Sequence, residues 1–357
     1  MQDLSAGLIV LSGANGAGKT NVLEAVSLLS PGRGLRGSRV MEIQKNDASD
    51  PWAIAGVVEG PYAEEVRLGT GRMPNGDKRV VRINGNAARG QNALGEYVSC
   101  VWLTPQMDRL FLDSARERRK FLDRLIFAFD PGHSGRVTRY ENALSQRSKL
   151  LRDGAADDVW LSGLESQMAE TAVAIAAARL EFADRLQAAC EACDHTYFPL
   201  ARFSVVGAIE ESLVNTKALA AEENFKESLK SSRARDAITG GAMEGPHKSD
   251  LSVYYAAKNM PADQCSTGEQ KALLIGLILA HARLIKAERG APPILLLDEV
   301  AAHLDEERRA ALYDILLELG AQVWLTGTEK SLFDAIEGRA QFFEVCDAKV
   351  SPAQTSL

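Results

Sequence analysis

Gly7-Leu8-Ile9-Val10-Leu11-Ser12-Gly13-Ala14-Asn15-Gly16-Ala17-Gly18-Lys19-Thr20 decides how this chain is read. Gly7 to Ser12 is a short apolar run bounded by glycine, the pattern of a buried strand. Gly13 to Thr20 then fits G-x-x-x-x-G-K-[ST] in full, and the residues from Lys19 to about Leu29 read as a helix. Strand, glycine loop and helix in succession are the context this motif needs. The glycines let backbone N–H groups curl around phosphate oxygens, and the helix N-terminus adds positive potential. Lys19 would reach the β- and γ-phosphates of a nucleotide, and the Thr20 hydroxyl would ligate Mg²⁺. Gly13, Ala14, Asn15, Gly16, Ala17, Gly18, Lys19, Thr20 and Asn21 are therefore the candidate nucleotide site. A glycine-rich turn with a chance lysine would not need both flanks.

Far along the chain, Ile294-Leu295-Leu296-Leu297-Asp298-Glu299 is an apolar strand ending in two acids. Two acids at the end of a buried strand are unfavourable unless a cation compensates them. Beside a phosphate loop, Asp298 would hold Mg²⁺ through water, and Glu299 would orient or deprotonate the attacking water. Glu299 and Lys19 are thus the candidate catalytic residues. Ser266-Thr267-Gly268-Glu269-Gln270 opens an apolar helix, Thr267 to Glu288. Ser266 and Glu269 have capping-box spacing, which gives a purely structural reading. The functional reading is a second anion site, with hydroxyl, glycine N–H and helix dipole facing a phosphate. The Lys19 loop already takes one end of a nucleotide, so that phosphate would belong to an ATP held by another copy of the chain. Ser266, Gly268 and Glu269 join the candidate nucleotide contacts on that reading.

Trp52 to Val58, Glu64 to Leu68, Arg79 to Ile83 and Val98 to Leu103 are short runs separated by turn formers such as Asn84-Gly85. They read as an antiparallel sheet flanking the first helix. From about Asp108 glycine thins out and helix formers dominate. Asp157 to His195 has no proline and a single glycine, Gly163, and makes one long helix or two. Another helix covers roughly Glu222 to Ala237. Pro293 to Leu297, Asp305 to Leu319 and Ala321 to Leu325 then alternate strand, helix and strand, which implies a parallel sheet. The expected fold is α/β. A P-loop head with a parallel sheet and a flanking antiparallel sheet is built from 1–107 and 241–357, and a helical arm, 108–240, is inserted in it.

With 357 residues, 46% hydrophobic and 25% charged, the chain is neither disordered nor fibrous, and it can bury sizeable cores without staples. A net charge of −7 excludes a uniformly basic nucleic-acid coat protein but not a local basic face. Five cysteines, an odd number, do not make a disulfide framework. Cys190 and Cys193 lie near His195, but no second pair completes a zinc site, and they read as small helix residues. No apolar run approaches the ~20 residues that span a bilayer, and the start lacks a basic signal-peptide region. A reducing cytoplasm is the expected compartment.

The P-loop, the late S-x-G-E-Q, the apolar D-E strand and the following His303-Leu304-Asp305 resemble the ATP-binding-cassette ATPases. Three further strings resemble the RecF family over essentially the whole chain. They are Leu28-Leu29-Ser30-Pro31-Gly32-Arg33-Gly34-Leu35-Arg36, Arg118-Arg119-Lys120-Phe121-Leu122-Asp123 and Gly245-Pro246-His247-Lys248-Ser249-Asp250-Leu251. The resemblance implies a head-to-tail homodimer that closes on two ATPs and binds DNA at gaps or ss/ds junctions. It also implies slow DNA-stimulated hydrolysis and cooperation with RecR-like and RecO-like mediators in loading RecA. Gln106, after Thr104-Pro105, is the implied glutamine on the metal side. The family has a further strand with an F-R-N-Y-like stretch ahead of Gly7, which this sequence starts too late to contain. Thr326-Gly327-Thr328 stands where transporter cassettes carry a switch histidine, so the γ-phosphate sensor is left unassigned.

Asp108 to Arg152 carries eleven Lys or Arg against six Asp or Glu, despite the acidic total. Arg118 and Arg119, with Arg33 and Arg36 in an acid-free stretch, are the candidate DNA contacts. They would grip phosphates without reading bases. The bland alternative is a solvated helix face with i,i+4 pairs. A second functional class, a cassette ATPase driving a membrane permease, would have the same P-loop but no need for the arginines or the inserted arm.

Overall fold

The computed structural model describes residues 1, 4, 7–45, 48, 50–59, 65–73, 76–154 and 157–353. Glu64, the expected start of the second flanking strand, lies outside them. The opening run forms β1 (Leu8–Ser12), buried at all five positions, and α1 (Lys19–Ser27) follows the glycine loop. β2 (Ala53–Glu59), β3 (Glu65–Arg72), β4 (Arg79–Ile83) and β5 (Asn86–Ala87) make an antiparallel sheet in that order. Asn84 and Gly85 both take positive φ, 50° and 81°, as a two-residue hairpin turn with matching twist demands. Leu68, Val81, Leu94 and Val98 are the buried core of this layer. β6 (Cys100–Leu103) comes next.

The helical segment holds α2 (Ala115–Phe127), α3 (His133–Asp153) and α4 (Asp158–Glu191). α4 is one helix of 34 residues, about 50 Å long. β7 (Ala201–Val206), α5 (Ala208–Asn215), α6 (Ala218–Ser231), α7 (Arg233–Thr239), β8 (Asp250–Tyr255) and β9 (Met260–Pro261) follow. β7, β8 and β9 form a small antiparallel sheet that the sequence reading did not anticipate. Small and apolar residues on one side of α4, including Met168, Ala172, Ile175 and Ala176, pack with Tyr140 of α3 and Phe225 of α6. The arm is thus a cored helical bundle rather than a bare projecting helix.

α8 (Thr267–Arg289), β10 (Ile294–Leu297), α9 (Glu306–Leu319), β11 (Val323–Gly327), β12 (Ala340–Cys346) and β13 (Lys349–Pro352) complete the chain. The main sheet runs β13-β12-β1-β11-β10-β6 and is parallel except for the terminal β12–β13 hairpin. β6 corrects the sequence reading: it pairs with β10 in this parallel sheet, not with the flanking antiparallel one. Its residues are apolar and mostly buried, as a strand covered on both faces requires. β12 and β13 were not anticipated. β1 lies between β11 and β12, in a core of Ile9, Leu11, Leu23, Trp102, Leu296, Trp324, Phe343 and Val345.

Two compact units result: Met1–Asp108, Asp194–Phe198 and Leu274–Leu357 form one, and Arg109–Cys193 with Pro199–Leu273 the other. Residues 241–273, assigned to the head by sequence, group with the helical unit, where β8 pairs with β7 and β9 with β8.

Candidate nucleotide and DNA-binding site

In the head unit, the loop after β1 is shaped by Gly13, Gly16 and Gly18, at φ 156°, 81° and 108°. Gly13 has no room for a side chain: a Cβ there would lie 2.3 Å from the Val345 carbonyl oxygen. Gly18 caps α1 in the left-handed conformation. Lys19 is 5% exposed and donates from Nζ to the carbonyls of Gly13 at 2.7 Å and Ala14 at 3.0 Å. Its ammonium is therefore held against the loop it serves. Ala14, Asn15, Gly16 and Asn21 are exposed, while Ala17 and Thr20 are half-buried.

The register of β10 and β11 pairs Leu297 with Leu325, which brings Asp298 beside Thr326 at the next position. Thr326 Oγ1 donates to Asp298 Oδ1 at 2.7 Å and accepts the Glu299 N–H at 2.8 Å. Thr20 Oγ1 lies 3.0 and 3.2 Å from the two Asp298 carboxylate oxygens. Asp298 is 6% exposed, so the two threonine hydroxyls supply the polar partners that its burial demands. Glu299 is half-buried and sits at φ 55°, a left-handed backbone uncommon for a non-glycine residue. Thr326 is the residue that sequence reasoning left without a role. Only the strand register reveals it.

Among the described residues no cluster of three or more His, Cys, Asp or Glu side chains could hold a metal. Thr20 and Asp298 instead offer one hydroxyl and one carboxylate. That donor set fits Mg²⁺, which keeps several waters and takes remaining ligands from phosphates. Gln106 lies in the turn after β6, whose strand neighbours β10, and its side chain is exposed.

The Ser266 segment lies in the helical unit, at the start of α8. Ser266 N–H and Oγ–H both donate to Glu269 Oε2 at 2.9 Å, and Glu269 N–H reaches back to Ser266 Oγ at 3.4 Å. This is a capping box. Lys258 pairs with the same carboxylate. The Lys258 hydrogen bond, then those from Ser266, pull the Glu269 pKa down to about 2, so it stays ionised through the working pH range. Ser266, Thr267 and Gly268 are nonetheless exposed. Ser266 can serve a phosphate if its hydroxyl turns from Glu269.

The arginines separate into two groups. Arg118 forks onto Asp250, with Nε and Nη2 both at 2.7 Å, and donates from Nη1 to the Asp113 carbonyl at 2.5 Å. The Asp250 hydrogen bonds raise its pKa further. Arg119 donates to the Ser249 carbonyl at 2.6 Å. Both are drawn inward by residues more than a hundred positions away, so the geometry argues against them as DNA contacts. Arg33 and Arg36, by contrast, are exposed. Their loop is gripped by Arg79 from β4, which donates to the carbonyls of Leu28, Ser30 and Gly32 and to Thr70 Oγ1. Ser27 Oγ accepts the Leu35 N–H and Glu24 Oε2 the Arg36 N–H, each at 2.8 Å. Burial raises the Glu24 pKa and lowers that of Arg79 to about 10. Replacing Arg118 by Gln should therefore lower stability by about 1–3 kcal/mol in urea unfolding while leaving the salt dependence of DNA binding unchanged. Replacing Arg33 and Arg36 by Ala should flatten that dependence, by a slope of about 0.9 per lost phosphate contact.

A phosphate-shaped loop, a buried strand-end Asp-Glu pair on a parallel sheet and an inserted helical unit define a P-loop ATPase head of the SMC-like, ATP-binding-cassette class. The family model for the RecF/RecN/SMC N-terminal domain matches residues 1–349. A DNA replication and repair protein RecF from Mesorhizobium japonicum is 48% identical over 355 residues, covering 99% of this chain and 93% of the relative. Its Brucella suis counterpart is 48% identical over 344 residues, covering 96% and 89%. The chain belongs to the RecF family. A solved structure of the recombination mediator protein RecF with ATP in the RecFOR pathway aligns with TM-score 0.81 at 25% identity, over 98% of this chain and 94% of that one. The Smc head domain of Pyrococcus furiosus shares the fold, at TM-score 0.50 and 17% identity, over 99% of this chain and 91% of that one. Family membership removes the permease-driving alternative. No described helix is long and apolar enough to cross a membrane.

Proposed function

We propose that this chain binds Mg²⁺-ATP in the Lys19 loop, dimerises head to tail around it, and holds DNA at gaps or ss/ds junctions until slow hydrolysis opens the dimer. The observation that carries this reading is the Thr20–Asp298–Thr326–Glu299 cluster at the end of β10, beside the phosphate loop. The loop N–H groups would cradle the α- and β-phosphates, Lys19 would reach the β- and γ-phosphates, and Thr20 and Asp298 would hold the metal, directly and through water. Mg²⁺ there supplies charge neutralisation at the phosphates. Glu299 would hold the attacking water and take its proton. Thr326, bonded to both acids' ends of the strand, is the candidate for sensing the γ-phosphate in place of a histidine.

The exposed Ser266–Gly268 segment would meet the ATP of a second copy, which makes the homodimer part of the site. Arg33 and Arg36 would meet DNA phosphates without sequence preference. The relatives' place in the RecFOR pathway supports RecR-like and RecO-like partners and a role in loading RecA. A cytoplasmic location follows from that role. The test is light scattering with ATP, without nucleotide, and with gapped DNA, on the wild-type chain and on Lys19→Ala. The substitution removes a charge-assisted contact of about 1.5–3 kcal/mol, so ATP affinity and ATP-dependent dimerisation should both fall. Unchanged ATP affinity in Lys19→Ala would refute the assignment.

A further inference from the structure

The β12–β13 hairpin turns through Asp347 and Ala348, with φ 47° and 60°. Neither residue is glycine or asparagine, and an alanine there is held in a conformation that L side chains rarely adopt. Backbone of this kind persists where the surroundings over-determine it, often beside a functional site. The surroundings here are the phosphate loop. Ala348 N–H donates to the Ala17 carbonyl at 3.0 Å. A Cβ on Gly18 would lie 3.4 Å from Ala348 Cα, and one on Gly13 would collide with the Val345 carbonyl. The hairpin thus touches both ends of the loop.

The Ala17–Gly18 peptide is trans, like all the described peptide bonds. In a planar trans peptide the C=O and N–H point in opposite directions. Ala17 C=O is fixed toward the hairpin, so Gly18 N–H is aimed away from it. Among the described residues it donates to no backbone carbonyl. We infer that Ala348 is a positioning residue of the nucleotide site, holding the Gly18 N–H ready for a β-phosphate. This rests on the nucleotide reading given above.

Loop N–H groups of this motif cradle the α- and β-phosphates, so ATP and ADP share the contact. The test is calorimetric titration of Mg²⁺-ATP and Mg²⁺-ADP into wild type, Ala348→Val and Ala348→Gly. A β-branched residue resists the left-handed conformation and should shift the turn, weakening both nucleotides about tenfold and equally. Glycine keeps the N–H and eases the backbone, so Ala348→Gly should bind both more tightly than Ala348→Val by that same factor. A lower melting temperature in Ala348→Val with wild-type affinity for both nucleotides would overturn the inference, as would a defect confined to ATP. If Ala348→Val does not fold, hydrogen exchange on the wild-type chain decides. ADP should slow exchange in the 346–350 segment together with the P-loop, because coupling is reciprocal. Protection of the P-loop alone would overturn the inference. A wild-type chain that binds neither nucleotide would refute the nucleotide reading itself, and the inference with it.

Discussion

Glu299→Gln is expected to dimerise with ATP, to release DNA more slowly than the wild-type chain, and to hydrolyse ATP about 10²–10⁴-fold more slowly. Gln has nearly the shape of Glu, so packing at the end of β10 survives. The hydrogen bond to Thr326 comes from the Glu299 backbone N–H and is untouched by the change. Asp298 keeps both threonine partners. Only the carboxylate proposed to polarise water is lost. If ATP closes the dimer and hydrolysis opens it, the variant accumulates in the closed state. Single-turnover hydrolysis, light scattering and DNA dissociation rates measure the three effects separately. Near-normal hydrolysis with a normal DNA dissociation rate would place water activation elsewhere and sink the gating mechanism.

The second large effect lies in the helical unit. Arg147 is fully buried and donates to Glu165 at 2.9 Å, to Asp236 at 2.8 Å and to the Leu229 carbonyl at 2.5 Å. Arg233 also bonds Glu165, at 2.6 Å, so that acid keeps a partner when Arg147 is removed. Asp236, 1% exposed, loses the bond from Arg147 Nη1 and retains the Ser232 hydroxyl at 2.7 Å and the Arg235 guanidinium at 3.5 Å. Breaking a buried pair from one side is strongly destabilising, and the half-exposed Arg235 offsets the Asp236 charge only in part, so Arg147→Met should lower stability by about 3–5 kcal/mol. Typical domains have about 5–15 kcal/mol in all. Adding Asp236→Leu should recover much of the loss, because replacing both partners with apolar groups is often neutral. Urea unfolding of the single and double variants checks this. A single-variant loss below about 1 kcal/mol, the size of an exposed pair, would show that Arg147 is not bearing the charge of Asp236.

What was legible in the sequence was what is contiguous. The phosphate loop needs its glycines, lysine and threonine within eight consecutive residues, and Gly13 to Thr20 declares it without help from the fold. The acid-ended run at β10 is equally local. Thr326 carries no such signature, because its role arises only when β10 and β11 align in register. The setting of Arg118 was illegible for a related reason. A cluster of positive charge is visible in a string of letters, but the Asp250 that neutralises it stands 132 residues further on. β6 was misplaced because a four-residue apolar strand says nothing about which neighbour it will find. The hairpin behind the P-loop was missed altogether, since its contact with Ala17 is made by backbone rather than by any characteristic side chain.

The position of β1 also fixes an order of events during synthesis. Leu8 pairs with Val323 on one side and Ala340 on the other, so the strand that carries the phosphate loop has no neighbours until about three hundred further residues have been made. At about 5–20 residues per second, β1 waits roughly 15–60 s on the ribosome for them. The helical bundle, by contrast, lies wholly between those two moments and can complete its own core first. A nascent chain therefore emerges with an apolar strand unpaired throughout that interval, the condition in which chaperone binding matters most. A stop codon anywhere before residue 340 would leave that strand open for good, and degradation, rather than loss of catalysis, would be how the cell registers it.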